Sequence, residues 1–225
     1  MTLFRYIEGG GIIGYVIILL SIVGVAFSIS AFLRTRSKKL VPRIHAEELR
    51  RLSRAGDFEA ARDWCRSDKA DSFLGRIASA GLDRALEGPL GGLEARTAME
   101  DAGEEETAGL FRAIDPISVV ANVAPLLGLL GTVQGMIGAF ETVAGTAAKS
   151  SAYYEDLARN ISIALITTFQ GLTVAIPMVA IHAWLRGRID RAASAASRAL
   201  EPLASALERA GSTALGAKRE EGGKE

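Results

Sequence analysis

Three stretches of this chain carry no Asp, Glu, Lys or Arg: Gly9 to Leu33, Pro116 to Phe140, and Asn160 to Leu185. Each holds about 25 residues, which as an α-helix spans roughly 37 Å and crosses a hydrocarbon layer of about 30 Å with some tilt. Lipid offers no hydrogen bonds, so a crossing segment has to satisfy its backbone internally, as a helix does. The sequence therefore predicts an all-α membrane protein with three transmembrane helices. The chain is 49% hydrophobic and 23% charged, its mean hydropathy is +0.22, and no strand signal of any weight appears.

Net charge is zero, but its distribution is not even. Of 26 Lys and Arg residues, 15 lie between Arg34 and Arg112 and 8 between Arg186 and Lys224; Arg5, Lys149 and Arg159 are the others. The positive-inside rule places these two basic regions in the cytoplasm and the N-terminus outside. The expected division is residues 1–10 as a short periplasmic start, 11–33 as transmembrane helix 1 and 34–115 as a helical cytoplasmic section. Residues 116–141 form helix 2, 142–158 a periplasmic loop, 159–185 helix 3, and 186–225 a cytoplasmic helix with a disordered tail. The basic cluster Arg34 to Lys39 follows the first apolar run instead of preceding it, which favours an uncleaved anchor over a signal peptide.

Within the cytoplasmic section, His45 to Arg66 reads as a helical pair broken at Ala55-Gly56-Asp57, with Asp57 as N-cap. Ser72 to Leu86 is a further amphipathic helix, and Glu87-Gly-Pro-Leu-Gly-Gly92 is a breaker. After the third span, Ile189, Ala193, Ala196, Leu200, Leu203 and Leu207 fall at heptad spacing, a seam suited to helix association.

The second span is the most distinctive. Gly128, Gly131, Gly135 and Gly138 recur three and four apart, and Gly131-x-x-x-Gly135 is the pattern that lets two helices approach closely in lipid. In the third span Ala164, Thr168, Gly171 and Ala175 share one face, with Thr167 and Gln170 beside it. Pro125 and Pro177 are expected to kink their helices. The two small-residue stripes read as partners around a shared axis. Hydroxyls donate and accept hydrogen bonds without carrying charge, so Thr132, Thr167 and Thr168, with Gln134 and Gln170, are candidates for a narrow polar pathway. Taken singly, each threonine is explained as well by bonding back to its own helix.

No ionisable Asp, Glu, Lys or Arg lies in any span, although proton-coupled membrane proteins normally need one. His182 beside Trp184 reads as an interfacial residue, and Cys65 beside Trp64 as core. No Cys/His spacing suggests a metal, no cofactor motif occurs, no nucleic-acid partner is expected, and no catalytic constellation supports an enzyme. A carboxylate for proton transfer would have to come from another polypeptide.

The run Ala124 to Phe140 and the run Ile166-Thr-Thr-Phe-Gln-Gly-Leu-Thr-Val-Ala-Ile-Pro177 resemble the signature helices of the MotA/TolQ/ExbB proton channel family. Gly56-Asp-Phe-Glu-Ala-Ala61, Cys65 and Ala80-Gly-Leu82 are similar to its weaker cytoplasmic pattern. The resemblance covers about residues 10 to 190, and its three-helix layout is of the ExbB and TolQ kind. It implies a homo-oligomer, pentameric in the family, in the bacterial inner membrane. A single-pass partner resembling ExbD or TolR would supply the intramembrane Asp, and a TonB- or Pal-type envelope protein would receive the work. Thr132 and Thr168 match the family's pore-lining threonines. One position departs: many ExbB and TolQ proteins carry Glu five residues before the third-helix threonine, where this chain has Ile163. Such a loss alters the proton route, changes the coupled ion, or marks a divergent subfamily. A membrane scaffold that keeps the packing and moves no ions is the competing expectation.

Overall fold

The structure, a computed structural model, describes residues 9–35, 40–67, 70–87, 91–145 and 151–222. The expected external start at residues 1–8, the basic residues 36–39, the middle of the 87–92 breaker and Lys149 lie outside the described residues. Among the described residues the helices are, in order, α1 Gly11–Arg34, α2 Arg43–Ala55, α3 Phe58–Cys65, α4 Phe73–Leu86, α5 Gly91–Gly145 and α6 Ser151–Gly222. No strand occurs among the described residues, and three helices are long and apolar enough to cross a membrane. The protein is an all-α membrane protein. It divides into two compact units, residues 1–31 with 113–185, and residues 32–112 with 186–225.

In the second of these units, chain direction is set by local chemistry. Gly56 ends α2 with φ of 71°, a left-handed conformation that favours glycine. The next residue, Asp57, accepts a hydrogen bond from the Ala60 N–H at 3.0 Å and so starts α3. Ser72 starts α4 in the same way through the Gly75 N–H at 3.0 Å, and its hydroxyl also shares a 2.9 Å hydrogen bond with His45 Nδ1. Leu49, Leu52, Phe73, Leu74, Ile77 and Leu82 form the core of this unit together with Leu200, Leu203 and Leu207. The heptad seam of α6 from Ala193 to Leu207 is thus covered by α2, α4 and the start of α5 of the same chain. Periodicity had shown a buried face and not its partner. A Cβ on Gly81 would overlap the Met99 side chain, and one on Gly92 would come within 2.8 Å of Gly211 Cα, so α5 begins in close contact with both neighbours. Arg96 binds Glu201 through two bonds of 2.9 and 3.1 Å and also reaches Glu208. That contact holds the Glu201 carboxyl below its ordinary range, while burial, with Asp83 nearby, pushes the Cys65 thiol up to about 12.

In the other unit, α1 buries a single stripe, Gly14, Ile17, Gly24, Ser28 and Ala31, and exposes its other sides, Ile12, Leu19 and Ile22 among them. The stripe is small because α1 lies close: a Cβ on Gly24 would meet Val120 Cγ1 at 3.0 Å and Met178 Cε at 3.2 Å.

Two expectations change. The 142–158 loop is mostly helix, since α5 continues to Gly145 and α6 already begins at Ser151. The tail is helical to Gly222; its Ala, Glu, Lys and Arg residues favour helix, and Gly211 and Gly216 weaken it without ending it.

Candidate functional site

The two glycine-bearing spans meet along one seam. A Cβ on Gly128 would lie 3.0 Å from the Thr167 carbonyl oxygen and 3.1 Å from Thr168 Cα. At Gly131 it would overlap the Thr167 side chain, and at Gly135 it would fall 2.7 Å from the Asn160 carbonyl oxygen. Gly138 faces the Asn160 carboxamide, and a Cβ on Gly171 would stand 2.6 Å from the Ala124 carbonyl oxygen. At Gly128, Gly135 and Gly171 the nearest atoms are backbone, so a side chain there forces the two helices apart, whereas Gly131 and Gly138 meet side chains. Pro125 lies inside α5, half-buried, and Pro177 inside α6, exposed.

The three threonines separate into two situations. Thr167 is fully buried, pressed against Gly131 and donating to the Ala164 carbonyl at 2.9 Å. Within this chain Thr167 packs the seam. Thr132 and Thr168 lie at the edge of the same seam, both partly accessible. The Thr132 hydroxyl donates to the Leu129 carbonyl at 2.6 Å. That of Thr168 sits between the carbonyl of Gly128 on α5, at 3.3 Å, and that of Ala164 on its own helix, at 3.4 Å. Thr132 follows Gly128 by one turn, which puts both hydroxyls on one shoulder of the seam. With their protons committed to carbonyls, both oxygens keep lone pairs to accept hydrogen bonds.

The glutamines point elsewhere. Gln134 is exposed, but two residues on a helix turn through about 200°, which removes it from the Thr132 shoulder. Gln170 packs against α1: a Cβ on Gly10 or Gly14 would stand 2.6 or 2.8 Å from its Oε1. Neither joins the threonine pair within this chain. Ile163, half-buried, also faces α1, 3.9 Å from where a Gly11 Cβ would stand. Two amides carry no pattern in the sequence and emerge only from the fold. Asn160 Nδ2 donates to Thr142 Oγ1 at 3.3 Å and ties the far ends of the two helices. Asn122, exposed on α5, donates to the Ser118 carbonyl at 2.9 Å. Among the described residues no group of His, Cys, Asp or Glu is placed to hold a metal ion.

Residues 69–198 match the family described as the MotA/TolQ/ExbB proton channel family. An ExbB homolog of Methanothermobacter thermautotrophicus is 30% identical over 195 residues, 84% of this chain and 64% of the relative. A biopolymer transport protein of the ExbB-like kind from Synechocystis is 42% identical over 81 residues, 36% of this chain and 32% of the relative. The Tol-Pal system protein TolQ of Haemophilus influenzae is 36% identical over 93 residues, 41% of this chain and 40% of its own length. The chain thus spans less than two thirds of each of these relatives. The matched region takes in α4, all of α5 and the third span with its small-residue face, and on that match the chain belongs to the MotA/TolQ/ExbB proton channel family.

Proposed function

We propose that this protein is the channel subunit of an ExbB/TolQ-like energy-transducing complex. Copies of the chain, five by analogy with the family, surround a pore bounded by the α5–α6 seam. The observation that carries this reading is the shared shoulder of Thr132 and Thr168, two hydroxyls with accepting lone pairs in spans that hold no charged residue. Hydroxyls relay a proton along a water chain but do not store one. The titrating group then belongs to a single-pass ExbD/TolR-like partner whose membrane Asp enters the pore. Each charge crossing the bilayer releases about 2.3 kcal/mol per 100 mV, so several crossings are needed to move the partner and do work on a TonB- or Pal-type envelope protein. The membrane is the bacterial inner membrane, with residues 34–115 and the C-terminal segment on the cytoplasmic side, in accord with the basic residues there. The chain itself catalyses no covalent chemistry.

The test is proton flux into liposomes carrying this protein and its candidate partner. Thr132→Val and Thr168→Val are expected to assemble normally and to lose flux, as is the partner's Asp→Asn change. Wild-type flux in both valine variants would contradict the pathway. Ile163, packed toward Gly11 at the position where the family resemblance implies Glu, favours a second reading, a non-conducting scaffold of the same fold. Absence of flux from a fully assembled complex would support that alternative.

A further inference from the structure

The side of α5 opposite the glycine seam is not covered by the described residues. Asp115, Asn122, Leu126 and Phe140 are exposed there, and Ser118 is half-buried. At 3.6 residues per turn Asp115, Ser118 and Asn122 fall within about 60° of one another, a polar strip running into the span. Asn122 Nδ2 donates to the Ser118 carbonyl at 2.9 Å and lies 3.4 Å from Ser118 Oγ. The carboxamide oxygen accepts no hydrogen bond among the described residues. It stands about 9 Å along the helix from Pro116, where the uncharged run begins. Facing acyl chains at that depth, an unsatisfied amide oxygen would carry a desolvation penalty with nothing to offset it. By contrast, the outward sides of α1 present Ile12, Leu19, Ile22 and Phe27, as a lipid-facing helix does.

We propose that Asp115, Ser118 and Asn122 line a water-filled vestibule that gathers hydrated monovalent cations at one end of the pathway. This rests on the channel reading above and adds residues to it. Asp115 supplies the fixed negative charge that concentrates cations at a narrow mouth. Ser118 and Asn122 supply neutral oxygens that replace lost water contacts. Beyond Asn122 the strip gives way to Leu126 and Leu129, both exposed, which bound the wetted section about 15 Å short of Thr132.

The experiment is cysteine labelling of the full chain in permeabilised membrane vesicles, in a Cys65→Ala background. The probes are two methanethiosulfonates, one bearing a trimethylammonium group and one a sulfonate. Thiols react as thiolates, which form only in water, so Asn122→Cys is expected to label roughly ten-fold or more faster than Ile22→Cys on α1. Adding Asp115→Asn is expected to lower the cationic-to-anionic rate ratio at Asn122→Cys by about two-fold or more at low salt. Labelling of Asn122→Cys as slow as Ile22→Cys would overturn the vestibule, as would disulfide-linked dimers without labelling, which would mean a second copy covers this face. An unchanged rate ratio would overturn the role of Asp115 in gathering cations. Labelling at Asn122→Cys in a complex that conducts nothing would leave the hydrated strip standing and refute the channel; flux with a dry Asn122→Cys would do the reverse.

Discussion

Replacing Gly171 by alanine tests the seam where it is tightest against backbone. The new Cβ would stand 2.6 Å from the Ala124 carbonyl oxygen and 3.3 Å from Gly128 Cα. Ordinary contact begins at 3.4 Å, so α5 and α6 have to part by about 0.8 Å, the difference between 3.4 and 2.6 Å. A shift of that size would stretch the Thr168 to Gly128 hydrogen bond, already 3.3 Å, beyond useful length. Overpacking of this kind costs about 1–3 kcal/mol, against which the better helix propensity of alanine returns about 1 kcal/mol. The control is Gly103→Ala, whose Cβ would meet only Ile77 Cδ1 at 3.8 Å and which is expected to be neutral or stabilising. The assay is reversible unfolding of the reconstituted protein in mixed micelles, read by circular dichroism. Gly171→Ala is expected to be less stable than wild type by about 1 kcal/mol and Gly103→Ala no less stable. If Gly171→Ala matched or exceeded the wild type, the close approach of α5 and α6 would be refuted.

Gly56→Ala is expected to cost about 1 kcal/mol in thermal unfolding, because φ is 71° while no atom lies near enough to crowd a Cβ; an unchanged melting temperature would contradict the left-handed cap. Cys65, its thiol pushed up to about 12 by burial, is expected to resist iodoacetamide near neutral pH until the protein unfolds. Fast alkylation of the folded chain would show that the α3–α4 core is open. The Glu201 carboxyl is lowered by its bonds to Arg96, so its contribution is present above the ordinary carboxylate range and is lost as pH falls through the lowered value. Glu201→Gln is expected to melt slightly below wild type near neutral pH and to converge with it in acid; a gap that widened in acid would reverse that sign.

What could be read in advance follows from what each physical constraint acts on. Lipid acts on every residue of a span, so three charge-free runs announced three helices. The glycines of α5 likewise announced a close neighbour, because nothing else explains so many unhelpful helix residues in one span. Asp57 was legible as a cap because the residue before it, Gly56, marks the turn. Periodicity shows that Ile189 to Leu207 is a buried stripe, but not that α2, α4 and α5 of the same chain cover it from Ala193 onward. Thr132 and Gln134 share a depth in the sequence, yet the helical turn between them sends them to different sides. Gln170 shares its sequence neighbourhood with the threonines, but only the fold shows Gly10 and Gly14 beside it. Asn122 and Asn160, single amides in apolar runs, acquire meaning only from what lies beside them.

The measurement that bears most directly on the central claim is an electron cryomicroscopy map of the assembled complex in a lipid nanodisc. The account predicts Thr132 and Thr168 turned toward a central opening ringed by copies of α5 and α6, with lipid density confined to the outer sides. Threonines turned toward acyl chains, around an assembly with no opening, would contradict it.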